Sequence, residues 1–177
     1  METRPPKILL TGPPGCGKTT LIRKIVQLLE IPAGGFYTEE VRGAGGRRTG
    51  FDVITLDGRR GRLSEAGFPG PRVGRYGVDL QFLENVALSR IEPAPGILIV
   101  IDEIGKMECF SRRFVETVGN VLAGSSAVLG TVARGGSPFI KEVRSTPGVQ
   151  LIEVTLQNRN RLTKEIVEIV ESGRWKG

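Results

Sequence analysis

The chain has 177 residues, a length typical of one domain that buries roughly 70% of its unfolded surface. Its 39% hydrophobic and 25% charged residues are typical of a globular protein, and no apolar run reaches the ~18 residues that span a bilayer. Histidine is absent, which removes the commonest general base and the commonest transition-metal ligand. Catalysis must therefore use carboxylates, lysine, arginine and a hard cation.

The formal net charge of +6 raises the question of a nucleic-acid partner. Basic residues are spread along the chain with only weak clustering between 42 and 75, and 6% of residues are aromatic, which leaves little material for base stacking. We therefore expect a solvated basic surface, part of which contacts the phosphates of a small nucleotide. A nucleic-acid partner is not the favoured interpretation.

The start of the chain and its two cysteines bear on location. The first seven residues lead straight into a predicted strand and leave no room for a signal peptide, which favours a cytoplasmic protein. Cys16 and Cys109 cannot form a disulfide framework. We expect Cys109 to pack against other side chains and Cys16 to occupy a loop position where the side chain is unconstrained.

The first predicted elements are a strand over Lys7–Thr11 and a helix over 18–29, joined by a loop that fits the pattern G-x-x-x-x-G-K-[ST]. Backbone N–H groups of such a loop surround a polyphosphate at the positive end of the helix dipole. Lys18 is placed to reach the β- and γ-phosphates and Thr19 to bind Mg²⁺. The residues expected to bind nucleotide here are Gly12, Pro13, Pro14, Gly15, Cys16, Gly17, Lys18, Thr19 and Thr20.

The segment 34–65 predicts an antiparallel β-meander within a single domain over 1–177. Apolar and polar residues alternate over 36–42, 51–56 and 61–63, and these runs are separated by turns at 43–46 and at Asp57-Gly58. The following Gly/Pro-rich stretch, 67–77, is predicted to be a loop that carries Arg72, Arg75 and Tyr76. A short helix is predicted over about 79–89.

The second half of the chain alternates strands and helices. The aliphatic run 97–101 predicts a strand that is covered on both faces. Ser111 is the predicted N-cap of a helix that buries Phe114, Val115, Val118, Val121 and Leu122. Further strands are predicted over Ala127–Val132 and 149–155, a helix from Ser137-Pro138 to Arg144, and a last helix over 158–172 with apolar residues Leu162, Ile166, Ile169 and Val170. This order predicts a doubly wound, mostly parallel α/β sheet with nucleotide at the carboxyl ends of its strands.

Two carboxylates at the end of the strand 97–101 are the predicted chemical centre. Asp102 is placed to hold Mg²⁺ opposite Thr19, and Glu103 to orient or deprotonate the attacking water. In any other context this pair would indicate only a solvated junction between strand and loop. Beside a phosphate-binding loop, it indicates phosphoryl transfer.

Other polar residues leave two interpretations open. Thr131 either contacts the γ-phosphate or the lytic water, or only caps and packs. Arg75 and Arg134, expected on one edge of the sheet, either neutralise the transferred phosphoryl group or lie on the surface. Arg159, after Asn158, either reaches the base or ribose or follows an N-cap. Lys106 and Glu108 are given no role.

Several motifs together resemble a known family. The runs 36–42 (FYTEEVR), 74–79 (GRYGVD) and 102–108 (DEIGKME) are more specific than the phosphate-binding loop, which many families share. With them the chain resembles, nearly end to end, the small nucleoside-triphosphatase family of thermophilic bacteria and archaea, represented in animals by the cancer-related nucleoside-triphosphatase. Cys109 and Asn160 depart from the family pattern at positions without a catalytic role.

The resemblance implies a RecA-like P-loop fold and Mg²⁺-dependent hydrolysis of nucleoside triphosphates (ATP, GTP, CTP, UTP) to diphosphates, with broad base tolerance and slow turnover. It also implies that Glu103 is the catalytic carboxylate, acting with Lys18, in a protein that we expect to be a monomer. Two alternatives remain: a small nucleotide, nucleoside or polynucleotide kinase, and a regulatory ATPase linked to nucleic acid. The meander and the adjacent Asp-Glu pair favour hydrolysis.

Overall fold

The computed structural model describes residues 4–172. The predictions for residues 1–3 and 173–177, including the ends of the 1–177 domain, lie outside this range. Four α-helices of the described part are α1 (Lys18–Leu28), α2 (Arg112–Ala123), α3 (Pro138–Ser145) and α4 (Arg159–Glu171). Its strands are β1 (Lys7–Thr11), β2 (Ala33–Arg42), β3 (Arg48–Thr55), β4 (Arg60–Ala66), β5 (Arg72–Val73), β6 (Tyr76–Val78), β7 (Leu98–Ile104), β8 (Ala127–Val132) and β9 (Val149–Glu153).

Within residues 4–172 these strands form one sheet, in the order β5-β6-β4-β3-β2-β7-β8-β1-β9. The strands β7, β8, β1 and β9 and the first residues of β2 pair in parallel, as the continuous apolar runs predict. β8 lies between β1 and β7, so the loop after β1 and the carboxylates at the end of β7 meet at the same edge. The prediction of a doubly wound α/β sheet is confirmed.

The strand β2 belongs to both halves of the sheet. Its first residues pair with β7, up to Phe36 beside Ile101, whereas the rest pairs antiparallel with β3. Gly35, at φ +125°, permits this junction because a Cβ there would lie 1.9 Å from the Val100 carbonyl oxygen. The antiparallel meander therefore begins directly beside the strand that carries Asp102.

Two predictions between the meander and β7 have different outcomes. The stretch 67–77 is not only a loop, because β5 and β6 extend the antiparallel sheet through pairing with β4. The short helix predicted over about 79–89 is present over 81–90, but it is irregular: two α-helical residues lead into a π-helical turn over Leu83–Ala87 and a 3₁₀ turn over Leu88–Arg90. The π-helical turn and the 3₁₀ turn together bury Leu83, Ala87 and Leu88.

Smaller differences concern the last strand and helix. β9 ends at Glu153 rather than at 155, because Thr155 and Asn158 form a side-chain turn before α4: the Thr155 N–H donates to Asn158 Oδ1 at 2.8 Å, and the Asn158 N–H donates to Thr155 Oγ1 at 3.2 Å. Ile169 remains 36% exposed, whereas Ile166 is buried. The predicted N-cap Ser111 is confirmed, and Ser137 caps α3 in the same way, since each accepts a backbone N–H of its helix.

The core has two layers, one on each face of the sheet. One layer packs α1 and α4 against Ile8, Leu10 and Val100, and the other packs α2 and α3 against Leu9 and Ile101. Lys7, at the start of β1, is also buried, and its amine donates to backbone carbonyls in the last turn of α2 and just after it. In the described range, no helix has the length and apolarity needed to cross a membrane.

Candidate nucleotide-binding and hydrolysis site

The phosphate loop, residues 12–19, has the backbone that its glycines predict. Gly12, Gly15 and Gly17 have positive φ angles of 152°, 76° and 97°, which other residues rarely adopt. A Cβ at Gly12 would lie 2.8 Å from the Val154 carbonyl oxygen, so only glycine allows the loop to lie against the end of β9. Pro13, Pro14 and Gly15 are exposed, whereas Cys16 is buried. The loop thus presents its outer backbone to solvent.

Lys18 and Thr19 begin α1 at the base of this loop. The Lys18 amine donates to the carbonyl oxygens of Gly12 and Pro13, at 3.0 Å each, and lies 3.8 Å from the Cys16 sulfur. Thr20, the next residue, is exposed. The structure therefore places a cationic amine on the inner side of the loop.

Asp102 occupies the buried centre of the site, with 2% of its surface exposed. Its Oδ1 accepts the Thr131 hydroxyl at 2.5 Å. Burial raises the pKa of Asp102, while the hydroxyls of Thr131 and Thr19 and the charges of Lys18 and Arg23 oppose that increase. The structure thus places Thr19 beside Asp102, as the sequence predicts, and it adds Thr131, whose contact with Asp102 the sequence analysis did not predict.

The second oxygen of Asp102 bears on metal binding. Among the described residues, Asp102 Oδ2 is buried and has no hydrogen-bond partner. A buried carboxylate oxygen without a donor is costly unless a cation or water satisfies it. Mg²⁺ is commonly bound by one or two protein groups together with substrate phosphates and water, and Asp102 and Thr19 fit that role.

Glu103 follows Asp102 through a cis peptide bond and is half-buried. Burial raises the pKa of its carboxyl, the neighbouring Asp102 charge raises it further, and the Lys18 charge lowers it. An acid whose pKa is shifted towards neutrality accepts a proton more readily, which is the property needed of a general base.

Glu108 is a component of the site that the sequence interpretation missed. It is 5% exposed, and its carboxyl has a pKa raised well above the ordinary value by burial and by the Glu103 charge. Its position inside the otherwise apolar run Met107, Cys109, Phe110 is the one sequence signal that could have indicated burial. Lys106, in contrast, is exposed.

Arg159 lies against the phosphate loop, whereas Asn158 is occupied elsewhere. A Cβ built on Gly17 would be 3.2 Å from an Arg159 guanidinium nitrogen. The Asn158 amide donates to the Glu153 carbonyl at 2.8 Å, and its oxygen accepts the Thr155 N–H. Asn158 therefore supports the turn before α4, and Arg159 remains the candidate for contact with the nucleotide.

The other candidate arginines lie apart, against the expectation of a shared edge. Arg75 lies between β5 and β6, stacks on the Tyr76 ring and donates to the Tyr76 hydroxyl at 3.0 Å. Arg134, near the other end of the strand order, pairs with Glu153. Antiparallel β5 and β6 carry Arg75 away from β7, which the sequence interpretation did not foresee.

Arg144 on α3 is a basic residue near the loop that the sequence interpretation omitted. Its guanidinium donates to Thr11 Oγ1 at 3.0 Å and to the Ala133 carbonyl at 3.3 Å. Thr11 directly precedes the phosphate loop, so Arg144 links the ends of β1 and β8 beneath it. Because the contacting residues are 133 positions apart in the chain, only tertiary structure reveals this link.

Comparisons with known proteins identify the family to which this chain is similar. A family model described as NTPase matches residues 7–167. Nucleoside-triphosphatase THEP1 of Thermotoga maritima is 44% identical over 171 residues, covering 95% of this chain and 97% of the relative. The cancer-related nucleoside-triphosphatase of Homo sapiens is 46% identical over 186 residues, covering 94% of this chain and 97% of that protein.

A solved structure shows the same architecture. The crystal structure of THEP1 from the hyperthermophile Aquifex aeolicus superposes with a TM-score of 0.85 at 40% sequence identity. It matches over 93% of this chain and 99% of the other. The likeness therefore extends over nearly the whole length of both chains.

Proposed function

This chain belongs to the NTPase family, and we propose that it hydrolyses ATP, GTP, CTP and UTP to the diphosphate and phosphate, dependent on Mg²⁺, with broad base tolerance and slow turnover. The observation that carries the proposal is the buried Asp102, whose Oδ2 has no partner among the described residues, beside the loop that holds Lys18 and Thr19. A nucleotide-binding loop next to an unsatisfied carboxylate is the arrangement that phosphoryl transfer requires.

In this mechanism the chain mainly positions and neutralises charge. The phosphate loop binds the phosphates through its backbone N–H groups, and the Lys18 amine neutralises their charge. Asp102 and Thr19 would hold Mg²⁺, which supplies charge neutralisation at the β- and γ-phosphates. Glu103 accepts a proton from the attacking water, and the raised pKa of its carboxyl favours that transfer.

Broad base tolerance is supported by the occupied hydrogen-bonding groups of Asn158. One amide N–H donates to the Glu153 carbonyl and the amide oxygen accepts the Thr155 N–H, so these contacts hold Asn158 in the turn before α4. Arg159, beside Gly17, offers a guanidinium that can stack on any base or contact a phosphate.

The charge of the meander supports a small-molecule substrate over nucleic acid. Many of its arginines are paired with acids, as Arg48 is with Glu40 and Arg62 with Asp52. Paired arginines contribute less to attraction of a polyanion. We also propose that the protein is a monomer and that it is located in the cytoplasm.

The test is phosphate release from a panel of nucleoside triphosphates and diphosphates, with and without Mg²⁺. We expect release from all four triphosphates, none from diphosphates, and none after chelation. Lys18→Ala is the matched control and should lose nucleotide binding. ATP loss that requires an added acceptor, with a phosphorylated acceptor as product, would replace the proposal with a kinase. Turnover stimulated by RNA or DNA at low salt would support the regulatory ATPase.

A further inference from the structure

Arg23 is a basic residue of α1 to which the proposed reaction gives no task. It lies one helical turn after Thr19, and side chains four residues apart share one face of a helix and lean towards its N-terminus. The Cζ atom of Arg23 lies 4.0 Å from the centroid of the Tyr37 ring, and a terminal guanidinium nitrogen donates to Glu39 Oε2 at 3.2 Å. Arg23 therefore joins α1 to the meander strand β2, on the face of α1 that carries Thr19.

The register of the sheet places this contact beside the carboxylates at the end of β7. In the parallel pairing of β2 with β7, Phe36 lies opposite Ile101, so Tyr37 is level with Asp102 on the neighbouring strand. Phe36 and Ile101 belong to the core layer under α2 and α3. Because side chains alternate along a strand, Tyr37 and Asp102 both lie on the other face of the sheet, which α1 covers. The Arg23 charge acts on Asp102, which agrees with this placement.

Part of the Arg23 guanidinium is not used by the rest of the protein. Its Nε is buried and has no hydrogen-bond partner among the described residues. In the pair with Glu39, 37% and 42% of the two side chains are exposed, and surface pairs of this kind contribute little to stability. Glu39 Oε2 also accepts Arg60 at 2.9 Å, so Glu39 keeps a cationic partner if Arg23 turns away from it. Arg23 is therefore free to bind another anion at low cost.

We propose that Arg23 is a specificity-determining residue that binds the terminal phosphate of the nucleotide and so distinguishes triphosphates from diphosphates. The inference rests on the proposed function, in which Glu103 activates the water that attacks this phosphate. Because Glu103 follows Asp102 on β7, the terminal phosphate lies on the side of the phosphate loop that faces β7, and β2 is the next strand beyond it.

The chemistry of the two groups suits this contact. A terminal phosphate group carries up to about two negative charges and several acceptor oxygens, and the planar fork of arginine matches its geometry. Hydrogen bonds between ionised groups are about twice as strong as those between neutral ones. The guanidinium leaves Glu39 for the phosphate oxygens, and the Nε–H of Arg23 gains an acceptor.

The test compares how two nucleotides bind to the full chain in the presence of Mg²⁺, measured by calorimetry. The probes are adenylyl imidodiphosphate, a triphosphate analogue that resists hydrolysis, and ADP. Arg23→Met should weaken binding of the analogue at least about tenfold, the scale of one lost hydrogen bond to a charged group, and leave ADP binding unchanged. Lys24→Met, at the exposed neighbouring position of α1, is the control for loss of a cation and should change neither affinity.

A second substitution separates contact with the substrate from a purely structural link. If Arg23 only tied α1 to β2, Glu39→Gln would loosen that link and weaken binding. If Arg23 binds the phosphate, Glu39 competes for it, so Glu39→Gln should bind the analogue as tightly as the parent or up to about fivefold more tightly. Thermal unfolding of each variant shows whether it is folded at the assay temperature. If Arg23→Met unfolds, Arg23→Gln, which keeps a polar end without the charge, takes its place.

Three results would overturn the inference: parental affinity for the analogue in folded Arg23→Met, an equal loss of affinity for the analogue and ADP, or weaker binding of the analogue by Glu39→Gln. Each is distinct from failure of the proposed function itself. That failure would appear as a parent protein that releases no phosphate from any of the four triphosphates.

Discussion

The buried amine of Lys7 predicts a stability effect that can be worked from the structure. It donates to the carbonyl oxygens of Val121 at 3.0 Å, of Gly124 at 2.9 Å and of Ser126. The Val121 carbonyl also accepts the Gly124 N–H at 3.3 Å. Lys7→Met therefore removes the donor of the Gly124 and Ser126 carbonyls. Unlike the Val121 carbonyl, these two accept no second hydrogen bond in this turn.

The expected loss follows from those two carbonyls. Leaving a buried polar group without its donor costs about 1–3 kcal/mol, and relief from burying an ammonium offsets part of the total, so we expect a net loss of about 2 kcal/mol. For a domain of this size that lowers Tm by roughly 4–8 °C. Urea unfolding followed by circular dichroism measures the loss of free energy of unfolding. Lys141→Met, at an exposed position of α3, is the control.

The pH dependence gives a second, signed readout. Burial lowers the pKa of Lys7 from 10.5 to about 8. Between those values the unfolded chain binds more protons at this site than the folded protein, so the Lys7 contribution to stability rises with pH. The gap between the parent and Lys7→Met should therefore widen from pH 7 to pH 9.5. Equal stability at pH 7, or a gap that narrows with pH, would refute the reasoning.

Three further substitutions test other parts of the account. Glu108→Gln should raise Tm at pH 7, because burial and the Glu103 charge raise the pKa of this carboxyl and so disfavour its ionised form in the folded state. The advantage should shrink towards pH 4, where the unfolded carboxyl is also protonated; an advantage independent of pH would contradict this. Thr131→Val removes a hydrogen bond to buried Asp102, so it should lower the free energy of unfolding by about 2 kcal/mol, measured by urea unfolding, and weaken Mg²⁺-nucleotide binding, measured by calorimetry. Unchanged values would show that Thr131 is not part of the site. Gly35→Ala should lower the free energy of unfolding by about 3 kcal/mol or more, because the new Cβ meets the backbone of β7. Gly45→Ala, where a Cβ has open space, should lower it by about 1 kcal/mol. Similar losses in the two variants would show that crowding is not the cause.

Local patterns in the sequence predicted those parts of the fold that neighbouring residues in the chain determine. The phosphate loop is encoded by glycines at three positions with positive φ, and β7 by an aliphatic run that only a covered strand explains. The hairpins of the meander follow from alternation and turn residues. These features need no knowledge of distant contacts.

Other features depend on contacts that the sequence does not display. The strands β5 and β6 are two and three residues long, too short to show alternation, and they form because β4 offers an edge. The turns over 83–90 depart from an α-helix to bury three apolar side chains at once. Tertiary packing overrides local preference at both places.

The candidate site was predicted in outline but not in its supporting residues. Asp102 and Thr131 meet because β7 and β8 are neighbours, and that adjacency follows from the parallel order of strands. Glu108 and Arg144 could not be assigned, since burial and a contact across 133 positions decide their roles. Arg75 was misplaced because the short strands β5 and β6, which carry it away from β7, leave no pattern in the sequence.

The central claim is that Glu103 activates water for a nucleotide held by the phosphate loop. The most direct measurement is single-turnover phosphate release by Glu103→Gln, with nucleotide affinity measured on the same preparation. We predict parental affinity for Mg²⁺-ATP and hydrolysis slower by at least ~10²-fold, the scale of a lost general base. Hydrolysis at the parental rate with parental affinity would contradict the account.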